Sequence, residues 1–210
     1  MNNNLTTNTT REKILNSTIE LLLSKGYENV SMREIAKSTG IKASSIYNHF
    51  QSKEQIIDEI LVIFGNQLAQ RKVNEYEIDL NNCNVSNVLY HIMAEPLKLL
   101  EDPYLAKIIQ VVTEGQHHHK GIRDFLINEM FDKPLNFIKN MLSKLISLKL
   151  IQPLSVDFLA AELQSVFIAS FYRYSLNGDI SNTKLDEIRE GLKLHVNFFY
   201  SAVKIEEDCV

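Results

Sequence analysis

The spacing of apolar residues constrains this chain more than any other feature. Along most of its length they recur every three or four positions, and long alternating runs are absent. Such spacing is typical of amphipathic helices that each bury one side. Glycine and proline, which interrupt helices, number only 7 and 4 in 210 residues and fall mostly between the periodic segments. The pattern predicts an all-α fold.

Residues typical of helix ends divide the N-terminal part of the chain into four segments. Thr10 is the expected cap of the first helix, and Gly26 is placed to end it. Ser31 and Glu34 have the spacing of a capping box at the start of the second helix. The four predicted helices span residues 11–25, 32–38, 42–50 and 52–77.

The rest of the chain follows the same pattern, with a loop expected at 80–84. Asp102-Pro103 reads as a cap followed by a first helical residue, and Thr183 with Asp186 predicts another capping box. The helix that follows the loop should bend near Pro96. The predicted segments are 85–100, a helix from 103 to a break at 115–121, 122–150 with an interruption at 132–134, 155–177 and 183–203.

Charge and cysteine usage limit the classes of protein that fit. Residues 1–55 hold seven basic and five acidic side chains, whereas the remainder holds 15 basic and 21 acidic ones, so positive charge is in excess only at the N-terminal end. Cys83 and Cys209 lie far apart, with no neighbour at metal-ligand spacing, so we expect neither a disulfide framework nor a metal site. The polar N-terminus lacks a signal pattern, and no apolar run approaches membrane-spanning length. We therefore expect a cytoplasmic protein without a cofactor.

The segment 31–50, SMREIAKSTGIKASSIYNHF, carries the most information about function. Ile35 and Ala36 should face the core, and the small Ala36 lets a second helix cross closely. Gly40 provides the backbone conformation of a tight turn. Ile41 and Ile46 then pack inward from the second helix. Two short helices joined by such a turn form a helix-turn-helix.

The outer side of the second helix is left with short polar groups, one cation and one phenol. Side chains of this kind can donate to phosphates and to base edges in a DNA groove without steric bulk. Ser31 and Lys53 flank the unit and can donate to the phosphate backbone. The outward-facing residues are Lys42, Ala43, Ser44, Ser45, Tyr47, Asn48 and His49.

The stretch from Arg11 to Lys53 resembles the DNA-binding domain of the TetR family of repressors, over about 45 of the 210 residues. Its most specific part is Tyr47-x-x-Phe50 followed by Ser52-Lys53-Glu54. The other matching elements are Ile14-Leu15, Leu22 to Gly26-Tyr27, Met32 to Ala36, Gly40-Ile41 and Ile46 to Phe50.

The resemblance implies roles for individual residues. The family's phosphate contacts map onto Ser31, Ser45, Tyr47, His49 and Lys53, and its base-reading positions map onto Lys42, Ala43, Ser44 and Asn48. Lys42 departs from the family, which often has a small hydroxyl residue there to cap the recognition helix. The resemblance also implies a three-helix DNA-binding domain at 8–55 and a helical effector-binding and dimerisation domain at 56–210. A homodimer of this kind would bind a palindromic operator and respond to a small molecule.

Two features of the second domain bear on those implied functions. Aromatic and apolar side chains can line an effector pocket, although each by itself is more often part of the core. We take as pocket candidates Tyr90, Met93, Phe125, Phe137, Phe167 and Tyr172. The last two helices have wide apolar faces, which the resemblance assigns to a dimer interface. These faces comprise Val156, Leu159, Leu163, Phe167, Ser170, Phe171 and Tyr174 in one helix, and Leu185, Ile188, Leu192, Val196, Phe199 and Val203 in the other.

Other interpretations are weaker but remain open. The run His117-His118-His119 invites a metal site, but adjacent helical residues point about 100° apart, which favours a surface or pocket-rim role. A helical adaptor that binds protein through its terminal helices would share the same periodicity. An enzyme is disfavoured, because no phosphate loop, nucleophile elbow or paired metal motif occurs.

Overall fold

The structure is a computed structural model that describes residues 9–70, 84–177 and 182–205. Within these ranges the regular elements are helices, and a single isolated bridge joins Ile151 to Lys204. The prediction of an all-α fold is confirmed. The helices are α1 (Thr10–Lys25), α2 (Met32–Thr39), α3 (Ala43–Ile46), α4 (Lys53–Gln70), α5 (Val85–Ala94), α6 (Pro103–Gly115), α7 (Lys120–Leu126), α8 (Lys133–Ser147), α9 (Val156–Asn177) and α10 (Asn182–Val203).

Several sequence predictions fall outside the residues that the structure describes. These are the end of the fourth helix near Glu77, the loop at 80–83, the helix stop at Gly178 and both cysteines. No helix in the described ranges is long and apolar enough to cross a membrane.

The chain divides into two compact units. The first contains the N-terminal residues to Gln70 together with Lys107–Leu126, and the second contains Arg71–Ala106 and Ile127–Val210. This division differs from the predicted boundary after residue 55. The reason is that α4 packs against both α1 and α7, so its apolar side belongs to the N-terminal core.

The first unit is built around buried aliphatic side chains of α1, α2 and α4, among them Ile14, Ile35 and Ile56, which are completely buried. The start of α1 corrects one prediction, because its cap is Thr9 and not Thr10. The Glu12 backbone N–H donates to the Thr9 hydroxyl (3.2 Å), and the Thr9 N–H donates to the Glu12 carboxylate (2.8 Å). This reciprocal pair is a capping box, which fixes where α1 begins.

The two helix breaks predicted in the second unit have different outcomes. The bend predicted near Pro96 is confirmed, since α5 ends at Ala94 and a 3₁₀ segment, Glu95–Leu99, follows. The interruption predicted at 132–134 is wrong. A π-helical segment, Ile127–Asp132, runs directly into α8, whose first turn contains Pro134. Pro134 is the second residue of α8 and directly follows the change from π-helical to α-helical pairing.

The beginnings of two other helices test the predicted caps. Asp102 caps α6 as predicted, because its carboxylate accepts from the Tyr104 and Leu105 N–H groups at 3.0 and 3.3 Å. The prediction that Thr183 caps the last helix is wrong, since α10 already begins at Asn182.

The apolar faces assigned to a dimer interface lie mainly in the core of the second unit. Here α8 packs on α9, and α10 packs on α5 and α9. The side chain of Tyr174 lies outside those described, and Val156, Ser170 and Ile188 are half-buried. The remaining predicted interface residues are buried: Leu159, Leu163, Phe167, Phe171, Leu185, Leu192, Val196, Phe199 and Val203.

Candidate DNA-binding interface

The turn between α2 and α3 has the geometry that the sequence predicted. The Glu34 backbone N–H donates to the Ser31 hydroxyl (3.3 Å), and the Ser31 N–H donates to the Glu34 carboxylate (3.0 Å). Gly40 has φ 76° and ψ 23°, which is the left-handed region that favours glycine. The Ile41 N–H then donates to the Ala36 carbonyl (3.0 Å) and closes the turn.

The second helix of the motif is shorter than predicted. We predicted helix over 42–50, but α3 ends at Ile46. The N–H groups of His49 and Phe50 then both donate to the Ile46 carbonyl, at 3.0 and 2.9 Å. Two donors that converge on one carbonyl form a tight turn, which returns Phe50 to the core, where it is 1% exposed.

Lys42 occupies the cap position of α3 and makes no capping hydrogen bond through its side chain. A lysine cannot cap a helix N-terminus, because its ammonium only donates and the first-turn N–H groups need acceptors. The departure from the family pattern noted at Lys42 therefore leaves the start of α3 without a side-chain cap.

Most of the residues predicted to contact DNA lie on one accessible segment, the recognition segment 42–49. Tyr47 is 53% exposed, so its ring is not part of the core. Ser45 and His49 are half-buried, as is Lys53 beyond the segment. The exposed members of the predicted set are Ser31, Lys42, Ala43, Ser44, Tyr47 and Asn48.

Lys53 is held by a partner that the sequence did not suggest. Its ammonium donates to the Tyr27 carbonyl (2.7 Å) and lies 4.1 Å from the centroid of the Tyr27 ring. A cation above an aromatic face is attracted by the electrons of the ring. Burial, helped by the nearby Glu54 and Asp58 carboxylates, raises the pKa of Tyr27. Its ring therefore faces Lys53 as a neutral phenol.

The three consecutive histidines have three different environments. His117 is exposed. The His118 ring stacks on Tyr27 with a centroid distance of 5.4 Å, and its Nδ1 lies 3.3 Å from the Glu28 carboxylate. His119 is buried, and its Nδ1 accepts from the Ile122 N–H (3.2 Å). Among the residues that the structure describes, no three histidine, cysteine or acidic side chains are grouped to hold a metal ion.

Arg11 is a residue of this unit that sequence reasoning missed. Its guanidinium donates from Nε to the Glu59 carboxylate (2.7 Å) and also pairs with that carboxylate through Nη2. Its Nη1 donates to the His49 carbonyl (2.9 Å), and its central carbon lies 4.2 Å from the centroid of the Phe50 ring. The Glu59 carboxylate raises the pKa of Arg11, which stays charged. Because Arg11 and Glu59 are 48 positions apart, no local pattern indicates the pair.

The predicted pocket residues are distributed over both units. Phe125 belongs to the first unit, where its ring centroid lies 5.5 Å from that of Phe64. In the second unit Met93 and Phe167 are buried, Tyr90 and Phe137 are half-buried, and Tyr172 is exposed. Their assignment to an effector pocket stays a prediction.

The fold and the exposed segment define an all-helical protein with an N-terminal helix-turn-helix, a class that binds DNA. Residues 14–60 match the family described as bacterial regulatory proteins, tetR family. The N-terminal part of the chain is therefore similar to this family.

Curated relatives resemble part of the chain. It is 30% identical over 102 residues to the negative transcriptional regulator IcaR of the icaADBC biofilm operon from Staphylococcus aureus (strain Newman). That match covers 48% of this chain and 53% of IcaR. The chain thus spans about half the length of the curated relatives it matches.

Solved structures of transcriptional regulators resemble nearly the whole chain. The regulator PfmR from Thermus thermophilus superposes with a TM-score of 0.67 at 16% identity, over 88% of this chain and 97% of that one. A transcriptional regulator from Saccharomonospora viridis, solved in complex with choline, has a TM-score of 0.61 at 21% identity, over 93% and 98% of the two chains. At such low identity the likeness extends to the fold alone.

Proposed function

We propose that this protein is a ligand-responsive transcriptional repressor that binds a palindromic operator as a homodimer. The observation that carries the proposal is the exposed recognition segment, in which Lys42, Ser44, Tyr47 and Asn48 lie on the surface while Ile46 and Phe50 anchor it from below. Helix-turn-helix proteins present such a segment to the major groove. IcaR, whose name describes a negative regulator, supports repression as the outcome.

The second unit supports a homodimer, because its last two helices keep a further apolar side in solvent. Leu194 and Phe198 of α10 are 70% and 73% exposed, and Phe158 of α9 is 66% exposed. The bridge between Ile151 and Lys204 joins the start of α9 to the end of α10, so Phe158 and Phe198 lie at the same end of this helix pair. A second copy that covers this surface would carry a second recognition segment. Helix-turn-helix dimers read half-sites about 34–36 Å apart.

The effector is proposed to be a small molecule that binds the second unit. The Saccharomonospora viridis regulator was solved with choline, so a protein of this fold can hold a small organic ligand. The candidate contacts in that unit are Tyr90, Met93, Phe137, Phe167 and Tyr172. The ligand acts only through different affinities for two conformations, one of which binds DNA better. The protein is further proposed to act in the cytoplasm, without catalysis, metal or cofactor.

The test is a selection of DNA duplexes from a random library by the purified full-length chain. The expected result is enrichment of an inverted repeat whose half-sites are separated by about one helical turn. Enrichment of no sequence, together with capture of a protein partner, would favour the helical adaptor instead. The selected duplex then serves to screen small molecules for release of the protein from DNA.

A further inference from the structure

We propose that Arg11 and Glu59 form a clamp that positions the end of the recognition segment, and that selectivity for the operator depends on this clamp. The inference rests on the proposed DNA-binding function. It assigns to these two residues a positioning role and no contact with DNA.

The clamp joins three separate parts of the first unit. Arg11 lies in the first turn of α1 and Glu59 lies on α4, while the third contact is the backbone carbonyl of His49 at the end of the recognition segment. One guanidinium therefore makes paired contacts with the Glu59 carboxylate and one hydrogen bond to the His49 carbonyl. The flat guanidinium also covers Phe50, which directly follows His49. A planar group with several fixed donors suits this geometry, and a lysine ammonium does not.

The recognition segment has little support of its own. Its helix, α3, comprises only Ala43–Ile46 and has no side-chain cap at Lys42. An isolated helix of this length is unstable in water, so its orientation must come from tertiary contacts. Ile46 and Phe50 provide apolar anchors, and the Arg11 bond to His49 is a directional contact at the same end. The capping box of Thr9 and Glu12 in turn fixes the start of α1, from which Arg11 extends.

The donors of Arg11 point inward, and this separates positioning from phosphate binding. Three of its nitrogens contact Glu59 or His49, and the Glu59 carboxylate neutralises its charge. If Arg11 bound DNA phosphate, Glu59 would compete with the DNA, and removing the Glu59 charge would strengthen DNA binding. If the clamp positions the segment, removing the same charge weakens binding to the operator. The two roles therefore predict opposite changes in operator affinity for Glu59→Gln.

The experiment measures the affinity of the full-length chain for two probes, the duplex selected by the wild-type protein and a scrambled duplex of equal composition. Glu59→Gln is expected to lower affinity for the selected duplex about tenfold, because it removes a charge-assisted contact of the clamp. Affinity for the scrambled duplex should stay within about twofold of wild type, since no phosphate contact is lost. Arg11→Lys keeps the charge but not the planar fork, and should reproduce the loss of selectivity.

Lys13→Gln is the matched control, since it removes an exposed cation from the same end of α1. It should leave the ratio of the two affinities unchanged. Circular dichroism checks that each variant is folded, and amide exchange of His49 and Phe50 should be faster in both clamp variants. If Glu59→Gln does not fold, Arg11→Lys decides alone.

Two failures are distinguishable. Unchanged or stronger binding of the selected duplex by folded Glu59→Gln overturns the clamp and leaves the proposed function standing. A wild-type protein that enriches no duplex overturns both.

Discussion

Among the residues proposed to contact DNA, Tyr47 is the one whose exposure supports that role most directly. It directly follows the completely buried Ile46, yet 53% of its own surface is exposed. A large aromatic side chain left in solvent beside a buried anchor gains little from packing within the chain. A phenol hydroxyl on such an exposed residue suits donation to a phosphate oxygen.

Replacement of Tyr47 should therefore affect DNA binding and not folding. Tyr47→Ala is expected to weaken binding to the selected duplex by about tenfold or more, with a melting temperature close to wild type. Tyr47→Phe isolates the hydroxyl and should account for part of the loss. Gel-shift titration and thermal unfolding measure the two effects. Full operator affinity in Tyr47→Ala would remove this residue from the proposed interface.

At the scale of residues, the sequence predicted local contacts and missed distant ones. The capping box of Ser31 and Glu34 and the left-handed turn at Gly40 depend on residues within a few positions of each other, so their patterns are visible. The contact of Lys53 with Tyr27 spans 26 positions, and its detection requires the fold. The sequence assigned Lys53 to a contact with DNA phosphate, and this role stays a prediction. In the structure the Lys53 ammonium already donates to the Tyr27 carbonyl, so a phosphate would have to share it.

At the scale of elements, the start of α2 is stabilised by a carboxylate in its charged form. The Lys25 ammonium donates to Glu34 (2.7 Å), and the Ser31 N–H and hydroxyl also donate to it. These hydrogen bonds hold the pKa of Glu34 below its ordinary value of 4.5, and the bond from Lys25 has the largest effect. Because the pKa is lowered by folding, Glu34 contributes stability above the pKa of the unfolded chain, and this contribution is lost as pH falls through the folded value.

Glu34→Gln should thus lower the free energy of unfolding at pH 7 and have little effect at pH 3. Urea unfolding of the variant and of wild type at both pH values measures the difference. Glu190→Gln, at an exposed position of α10, serves as the control and should show a smaller difference at either pH. A Glu34→Gln effect of equal size at both pH values would contradict the charged cap.

The π-helical segment Ile127–Asp132 is an element that periodicity could not reveal. The sequence Asp132-Lys133-Pro134 suggested a break, but the wider turn lets the helix continue into α8. Gln164 of α9 contacts this segment, because its side-chain amide donates to the Phe131 carbonyl (2.8 Å), and the residue itself is only 8% exposed. The contact bridges 33 positions and therefore has no local signature.

Gln164→Leu keeps most of the side-chain volume but removes the donor. We expect it to lower the free energy of unfolding by about 0.5–1.5 kcal/mol, the usual net contribution of one hydrogen bond. Gln110→Leu is the control, because it removes a solvent-exposed bond to Glu114 and should change stability by less than about 0.5 kcal/mol. Chemical denaturation measures both. Equal stability of Gln164→Leu and wild type would show that the π segment needs no support from α9.

At the scale of the whole molecule, the sequence proposed α9 and α10 as candidates for a dimer interface, but it did not indicate which side of each helix is available for association. Both α9 and α10 carry apolar residues on more than one side. The faces with the most regular spacing, such as Leu192, Val196 and Phe199, are used within the chain itself. Periodicity cannot separate a core face from an association face, because both are stripes of apolar residues at helical spacing. In the structure the exposed fraction of each side chain distinguishes the two, because Leu194 and Phe198 lie in solvent and are therefore the candidates for an association face.

These two residues give the proposal of a homodimer its sharpest test. Leu194 and Phe198 are four positions apart and so lie on the same side of α10, where a charge would be buried in a dimer but solvated in a monomer. The double variant Leu194→Glu and Phe198→Glu should therefore sediment as a folded monomer in analytical ultracentrifugation. Its affinity for the complete inverted repeat should fall by at least about a hundredfold, because one recognition segment then contacts one half-site without the second.

Leu148→Glu is the matched control for this double variant. It places a charge at another exposed leucine of the second unit, outside α9 and α10, and should leave both sedimentation and operator binding unchanged. A double variant that still sediments as a dimer would show that the dimer interface does not include this side of α10. A monomer that binds the complete repeat with wild-type affinity would contradict the proposal of a dimeric repressor. In that proposal the two recognition segments of one dimer bind the two half-sites together.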